Sequence, residues 1–352
     1  MNREKIDPKN MFKLIFDFPN QIEKAVVIGK NIGLRKNYSK VNKIVLAGMG
    51  GSAVGGDLLS LALRNHMTIP FFVSRNYTLP NWVDENSLVI CSSYSGNTEE
   101  TLSAFNEAES KNAAIIGITT GGILSSRLEE NDCDEITIPS GLQPRAAVGF
   151  SMIPMMFLIM KILKIDIDLE SILKEITREL LDKRDMYSKM DSQNPVYTLA
   201  QKIYKKCVII YGETGATDKL AIRWKGQLSE NSKMLAFINE IPEMNHNEIV
   251  GWVNNPELFI HLVVLWLVDI NGHIRNKKRV KITQSILEKL TVKQYTVFLE
   301  GKSFIDRIFH FIHYGDWLSY WCAILHQKDP TPVDNINFLK KALGTLDEGV
   351  LD

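Results

Sequence analysis

The chain is poor in the residues that would build a metal centre or a covalent framework. Cys91, Cys133, Cys207 and Cys322 are scattered through 352 residues with no CxxC pair. Zinc is therefore not expected, and reduced thiols in a cytoplasmic protein are the simpler reading. No charge of either sign is in excess: 41 Lys and Arg balance 41 Asp and Glu, so no overall field draws the chain to nucleic acid or to a membrane. Long apolar runs are missing too. The most hydrophobic window, 258–268, is too short to span a bilayer. The opening Met1-Asn2-Arg3-Glu4-Lys5 lacks the apolar run of a signal peptide. The expectation is a soluble cytoplasmic protein with no metal, no other cofactor, and neither nucleic acid nor membrane as partner.

What is present is an α/β rhythm, and 352 residues with 45% apolar content suffice for two cores. Residues 1–40 carry helical spacing (Met11, Leu14, Ile15, then Ile22, Ala25, Val26) broken by Pro19, which predicts an N-terminal arm. Strands are predicted at 43–48, 69–73, 87–92, 114–119 and 134–138, with helices at 52–65, 98–110 and 123–129. Short apolar strands alternating with helices indicate a doubly wound parallel sheet over 41–165. A charged, helical stretch over 166–200, with a break at Asn194-Pro195, reads as a linker. From 201 to 352 the rhythm returns: strands at 208–212, 237–238, 258–268 and 296–299, helices at 217–231 and 273–289, a long helix to Gln327 and a last one at 334–345. Strand, glycine, helix in both halves suggests two copies of one α/β unit in tandem. In the second copy Gly212-Glu213-Thr214-Gly215 is only a weak echo of the glycine turn in the first.

That first turn organises the chain. Val45-Leu46-Ala47-Gly48-Met49-Gly50-Gly51-Ser52-Ala53 runs from strand through glycine turn to helix, and Ser93-Tyr94-Ser95-Gly96-Asn97-Thr98 opens a second strand end some forty residues on. Both transitions fall at one edge of a parallel sheet, where backbone N–H groups and hydroxyls suit a phosphate. Gly48-x-Gly50-x-x-Ala53 also fits a dinucleotide fingerprint. The second strand, however, ends Val73-Ser74-Arg75 with no carboxylate for a ribose, leaving Arg75 for a 2′-phosphate and NADP open. No Gly-Lys-Ser/Thr follows, which excludes a Walker loop. The hydroxyls before Glu99-Glu100 could be nothing more than an N-cap. A cap needs one hydroxyl, and three are present, so phosphate on Gly50, Gly51, Ser52, Ser93, Ser95 and Thr98 is favoured.

With those two loops the chain resembles the sugar isomerase (SIS) domain. Pro144-Arg145-Ala146-Ala147, Ser229-Glu230-Asn231-Ser232-Lys233, Pro242-Glu243-Met244-Asn245-His246-Asn247 and Leu339-Lys340 narrow the resemblance to the bifunctional phosphoglucose/phosphomannose isomerase family, in order along nearly the whole chain. The resemblance implies two SIS domains and interconversion of glucose 6-phosphate with fructose 6-phosphate, and of mannose 6-phosphate with fructose 6-phosphate, without metal. It implies Glu230 as the base that carries a proton between C1 and C2, and Arg145 as the cation beside the enediolate. It implies His246 and Lys340 for ring opening, with His246 supplied by the neighbouring subunit of a homodimer. On residue type alone, Glu230 is a helix-end glutamate, Arg145 a loop arginine and Lys340 a solvated helix lysine. In the family a threonine about two turns before the lysine is linked to accepting the mannose epimer. Seven residues before Lys340 stands Val333, and the nearest threonine is Thr331, two residues further back.

His310 and His313 sit three apart on a predicted helix. No carboxylate at suitable spacing is evident, so packing is favoured over a metal pair. Rival functions are a non-catalytic sugar-phosphate sensor and an NADP oxidoreductase. A glutamine-dependent aminosugar synthase is disfavoured for want of an N-terminal nucleophilic cysteine domain.

Overall fold

The computed structural model describes residues 3–299 and 301–344. The arm is three helices, α1 (Arg3–Ile6), α2 (Met11–Phe16) and α3 (Phe18–Lys30). Pro19 does not break the arm. It lies in the first turn of α3, where its missing N–H costs no hydrogen bond, and the chain turns instead at Asp17.

The first sheet follows as β1 (Lys43–Gly48), α4 (Gly50–Ala62), β2 (Phe71–Ser74), β3 (Ser87–Ser93), α5 (Glu99–Ser110), β4 (Ala114–Thr119), α6 (Gly122–Glu130) and β5 (Asp134–Thr137). All five strands are parallel in the order β2-β1-β3-β4-β5. This is the doubly wound arrangement whose ligands gather beyond the carboxyl ends of the strands at the β1/β3 switch point. Every residue of β3 is buried, as a central parallel strand covered on both faces requires. Pro144–Ala146 then forms a 3-10 turn, and the apolar α7 (Val148–Leu163) packs on α3 and α4.

After α8 (Leu169–Tyr187) and α9 (Pro195–Ile203), capped by Asn194, the second unit runs β6 (Cys207–Glu213), α10 (Asp218–Ser232), β7 (Ala236–Ile241), α11 (Glu248–Gly251), β8 (Leu262–Asp269), α12 (Ile274–Lys289), β9 (Lys293–Leu299), α13 (Phe304–Leu325) and α14 (Asp334–Leu343). Its parallel sheet has the order β7-β6-β8-β9. These strands match β2, β1, β3 and β4, and β5 has no counterpart among the described residues. The strand expected over 258–268 begins late: Pro256–His261 is a 3-10 turn, and Leu258 and Ile260 face outward. Residue 345, expected to end the last helix, lies outside the described residues, as do 1–2 and 345–352 of the two outer domains.

α13 runs through the shared core. Gly315 lets it approach α10: a Cβ there would fall 2.2 Å from Trp224 Nε1, which instead donates to the Phe311 carbonyl at 3.0 Å. His313 is fully buried on the same helix, stacked on Phe18 with Trp317 Nε1 donating to its Nε2. The ring proton therefore sits on Nδ1, which has no partner among the described residues. Burial above all, then His310 and Arg184, push its pKa from 6.5 down to about 3. Protonation thus favours the unfolded chain. The contribution of neutral His313 is complete above about pH 6.5 and drains away as pH falls towards 3, by about 1.4 kcal/mol per pH unit. Denaturant unfolding at a series of acidic pH values is expected to show this slope in the native chain and a flatter one in His313→Phe.

His310 corrects the sequence reading. Carboxylates do stand beside it: Asp306, one turn earlier, at 3.0 Å and Glu179 of α8 at 3.2 Å. Lys302 Nζ, 3.3 Å from Glu179, already brings a cation to this cluster.

Candidate active site

The two loops singled out in the sequence are neighbours because β1 and β3 are. Gly48 pairs with Ser92, and a Cβ at Gly48 would lie 2.8 Å from the Ser92 carbonyl. Gly50 has φ +49°, a conformation glycine adopts without penalty, and α4 starts there with no side-chain cap. The helix leaves the carboxyl end of β1, the strand beside β3, from whose carboxyl end the 93–98 loop leaves, and a helix N-terminus favours an anion. In that loop the capping explanation fails. Thr98 stands at the N-cap of α5 but makes no cap bond; its hydroxyl lies 2.9 Å from Ser93 Oγ. Ser95 Oγ accepts from the Asn97 amide at 3.2 Å. Ser52 and Ser93 are buried, Ser95 exposed. Ser93 and Thr98 thus bond to each other, and neither is spent on capping α5.

Gly51 joins this cradle to the next element, since a Cβ there would meet the Pro144 carbonyl at 2.7 Å. The turn after Pro144 is braced by Gln21, whose side chain donates to the Ala146 carbonyl and accepts from the Gly149 amide. It presents Arg145, which is 4% exposed. Each guanidinium nitrogen is engaged: Nε donates to Asn231 Oδ1 at 2.6 Å, Nη1 to Glu230 Oε2 at 3.2 Å, and Nη2 to the carbonyls of Pro330 and Thr331 at 2.7 and 2.8 Å. Burial pulls the Arg145 pKa down and Glu230 opposes it; an arginine stays charged under either influence.

Glu230 is in the last turn of α10, a third exposed. The helix is anchored by a buried pair, Arg223 to Asp316 at 2.7 Å, by Gln227 to Asp316, and by Asn231 and Ser232 to Ser319. Thr331 is buried beside Arg145 with its hydroxyl unpartnered among the described residues. The fold therefore brings Glu230, Arg145 and Thr331 together and connects them through Gly51 to the hydroxyl cradle. Asn231, Lys233 and the carbonyls of Pro330 and Thr331 complete the arrangement. The sequence signalled the first two only as letters of a motif and the carbonyls not at all.

His246 and Lys340 are not joined to this group. His246 is exposed at the end of a 3-10 turn after β7, and its ring makes no hydrogen bond among the described residues. Lys340 is exposed on α14, a helix with no buried residue. A cleft of about 420 Å³ opens elsewhere, between α8, α9, β9 and α13, and none of the residues proposed from the sequence as site residues lines it. Arg75 is ion-paired with Asp57 of α4, which removes it as a ready partner for the 2′-phosphate of NADP.

The second unit shows why it holds no matching cradle. Counting along the strands, Gly212 takes the place of Gly48, Glu213 that of Met49, and His273 that of Thr98. The Glu213 carboxylate accepts from the His273 amide at 3.1 Å and from Asn276 Nδ2 at 2.9 Å. The chain has set its own anion at the start of α12.

Comparison with known proteins defines the class first. Residues 37–160 match the SIS domain model, and residues 192–343 match the bacterial phospho-glucose isomerase C-terminal SIS domain. The C-terminal domain of glucosamine-fructose-6-phosphate aminotransferase from Francisella tularensis shares the fold, with TM-score 0.68 and 18% identity, covering 92% of this chain and 97% of that one. This is a tandem SIS-domain protein. A bifunctional phosphoglucose/phosphomannose isomerase of Caldicellulosiruptor bescii is 42% identical over 96% of this chain and 99% of its own length. The chain belongs to the bifunctional phosphoglucose/phosphomannose isomerase family. A D-glucosamine-6-phosphate 4-epimerase of Sulfolobus acidocaldarius is also related, at 31% identity over 59% of this chain and 63% of its own length.

Proposed function

We propose that this protein is an aldose–ketose isomerase interconverting glucose 6-phosphate with fructose 6-phosphate, and mannose 6-phosphate with fructose 6-phosphate. The observation that carries the reading is a carboxylate, Glu230, held 3.2 Å from a buried guanidinium, Arg145, whose turn abuts the phosphate cradle at Gly51. The cradle grips the ester through Gly50, Gly51, Ser52, Ser93, Ser95 and Thr98. Glu230 takes the proton from C2 of the open-chain aldose, and the pair of electrons left behind forms the C1–C2 double bond of a cis-enediolate. Arg145 faces the oxygen on which the negative charge collects. Return of the proton to C1, with the proton on O2 passing to O1, gives the ketose. The unpartnered hydroxyl of Thr331 is suited to receive a sugar hydroxyl and to admit the mannose epimer. With Arg145 supplying the positive charge, no metal is called for.

His246 and Lys340 open the sugar ring, and for His246 the reading invokes a homodimer. Exposed apolar side chains occur just before β7, on it and on the segments after it, among them Leu235, Phe237, Val250, Val253, Leu258 and Ile260. A second copy laid there would cover them and carry His246 to its neighbour's site. The division into an arm at 1–40, SIS domains at 41–165 and 201–352 and a linker at 166–200 belongs to the same reading. So does a cytoplasmic location: the four cysteines are free thiols, and no described helix is long and apolar enough to cross a membrane.

Conversion of fructose 6-phosphate in deuterium oxide, with and without chelator, tests the function. The expected product is glucose 6-phosphate with solvent deuterium at C2, at a rate the chelator leaves unchanged. Binding without exchange would make the protein a sensor, and a product altered at C4 would make it an epimerase. Either result overturns the proposal.

A further inference from the structure

Lys233 closes the stretch Ser229-Glu230-Asn231-Ser232-Lys233, and neither the fold nor the proposed chemistry has yet given it work. It is the C-cap of α10, with φ +56°, a left-handed position where glycine is the usual residue. A glycine would end the helix more easily but would leave no side chain. This side chain turns back: Nζ donates to the Glu230 carbonyl at 2.7 Å and lies 3.4 Å from the Asn231 carbonyl. Those carbonyls belong to the unpaired end of the helix, where a cation is favoured by the dipole. They also belong to the two residues whose side chains clasp Arg145, Glu230 at Nη1 and Asn231 at Nε.

We propose that Lys233 is a positioning residue of the isomerase site, its ammonium group tying down the last turn of α10 so that Glu230 and Asn231 stay in register with Arg145. The inference rests on the reading of Glu230 as the base. Four charged groups face Lys233: Arg145 from the turn after Pro144, Glu230 on its own helix, Asp329 from the loop after α13, and Asp334 at the start of α14. Burial, and then Arg145, lower its pKa to about 8, against the three carboxylates. The ammonium is thus a charge that titrates close to neutrality. Above about pH 8 it becomes an amine with a weaker hold on the two carbonyls.

The test is the pH dependence of kcat for fructose 6-phosphate in the native enzyme, Lys233→Met and Lys233→Arg. The native profile is expected to fall above about pH 8. Lys233→Met is expected to lose about 10- to 100-fold in kcat, the scale of a misplaced reacting group, with KM little changed and the alkaline fall gone. Lys233→Arg, which stays charged, is expected to recover part of the activity with its alkaline fall moved to higher pH. If Lys233→Met turns over as the native enzyme does, or Lys233→Arg keeps the native alkaline fall, the inference is overturned. Should Lys233→Met not fold, the Lys233→Arg profile decides alone. Failure of the underlying reading looks different: Glu230→Gln would then stay active whatever the Lys233 variants do.

Discussion

Glu230→Gln is expected to lower kcat on fructose 6-phosphate by about 10²- to 10⁴-fold, the range a positioned general base supplies, while binding of the phosphate ester is largely kept. The substitution is close to isosteric. The amide oxygen of glutamine can still accept from Arg145 Nη1, now 3.2 Å from Glu230 Oε2, so the clasp on Asn231, Pro330 and Thr331 is undisturbed. What disappears is the ability to take a proton from carbon. In the proposed site the ester is held elsewhere, by hydroxyls and amides at the ends of β1 and β3, so the loss is expected in kcat and not in KM. Measured kcat, KM and binding of a non-isomerisable six-carbon phosphate such as 6-phosphogluconate separate the two effects. Unchanged turnover would remove Glu230 from its role. Mixing Glu230→Gln chains with His246→Ala chains adds a test of the shared site: two inactive populations are expected to regain part of the native rate once exchanged into mixed dimers, because one of the two sites then draws both groups from unaltered positions.

Replacing Arg145 by alanine is expected to act on both activity and stability. The guanidinium touches the last turn of α10 and the segment at 330–331 at once, from a turn that belongs to the first unit. Its removal leaves buried acceptors on Asn231, Pro330 and Thr331 without their donor and the Glu230 carboxylate without its partner. Breaking such a buried, hydrogen-bonded charge costs about 3–5 kcal/mol, tempered here because Glu230 is a third exposed. Losing the cation proposed to stand beside the enediolate is expected to cost a further 10²- to 10³-fold in kcat, about that of one oxyanion donor. Arg145→Lys separates the contributions. It keeps the charge but cannot span Asn231, Glu230 and two carbonyls with a single ammonium, so a lowered melting temperature with partly retained kcat is expected. Thermal unfolding and initial rates on all three proteins check this; native melting and turnover in Arg145→Ala would refute the clasp.

The parts of this molecule that were legible beforehand are the ones governed by local chemistry. β1 runs over 43–48 as the apolar run before Gly48 indicated, and the helix after Asn194-Pro195 starts there because asparagine caps and proline opens a helix. Errors arose where an apolar run was silent about its partners. Residues 258–261 read as strand, but Pro256 opens a 3-10 turn, and Leu258 and Ile260 point outward. Of the carboxylates around His310, Glu179 was hidden for a related reason, since it arrives from a helix more than a hundred residues earlier; Asp306, one turn before His310, stood at legible spacing and was overlooked.

The candidate site divides in the same way. Glycines at 48–51 and hydroxyls at 93–98 announce an anion cradle because backbone sterics and hydrogen-bonding capacity reside in the residues themselves. Spacing alone could not say that Thr98 would bond to Ser93 and leave α5 uncapped, nor that Glu213 would fill the matching place in the second unit. Arg145 and Glu230 lie 85 residues apart, on elements with no pattern in common. Only the packing of α4 on the turn after Pro144, and of α10 on α13, brings them within one hydrogen bond. The sequence by itself determined two α/β units, their glycine turn and the family to which they belong, because periodicity and residue type are local properties. Which carboxylate meets which cation was decided by the tertiary structure alone, because a distance across the fold is set by how helices pack and is written in no single segment.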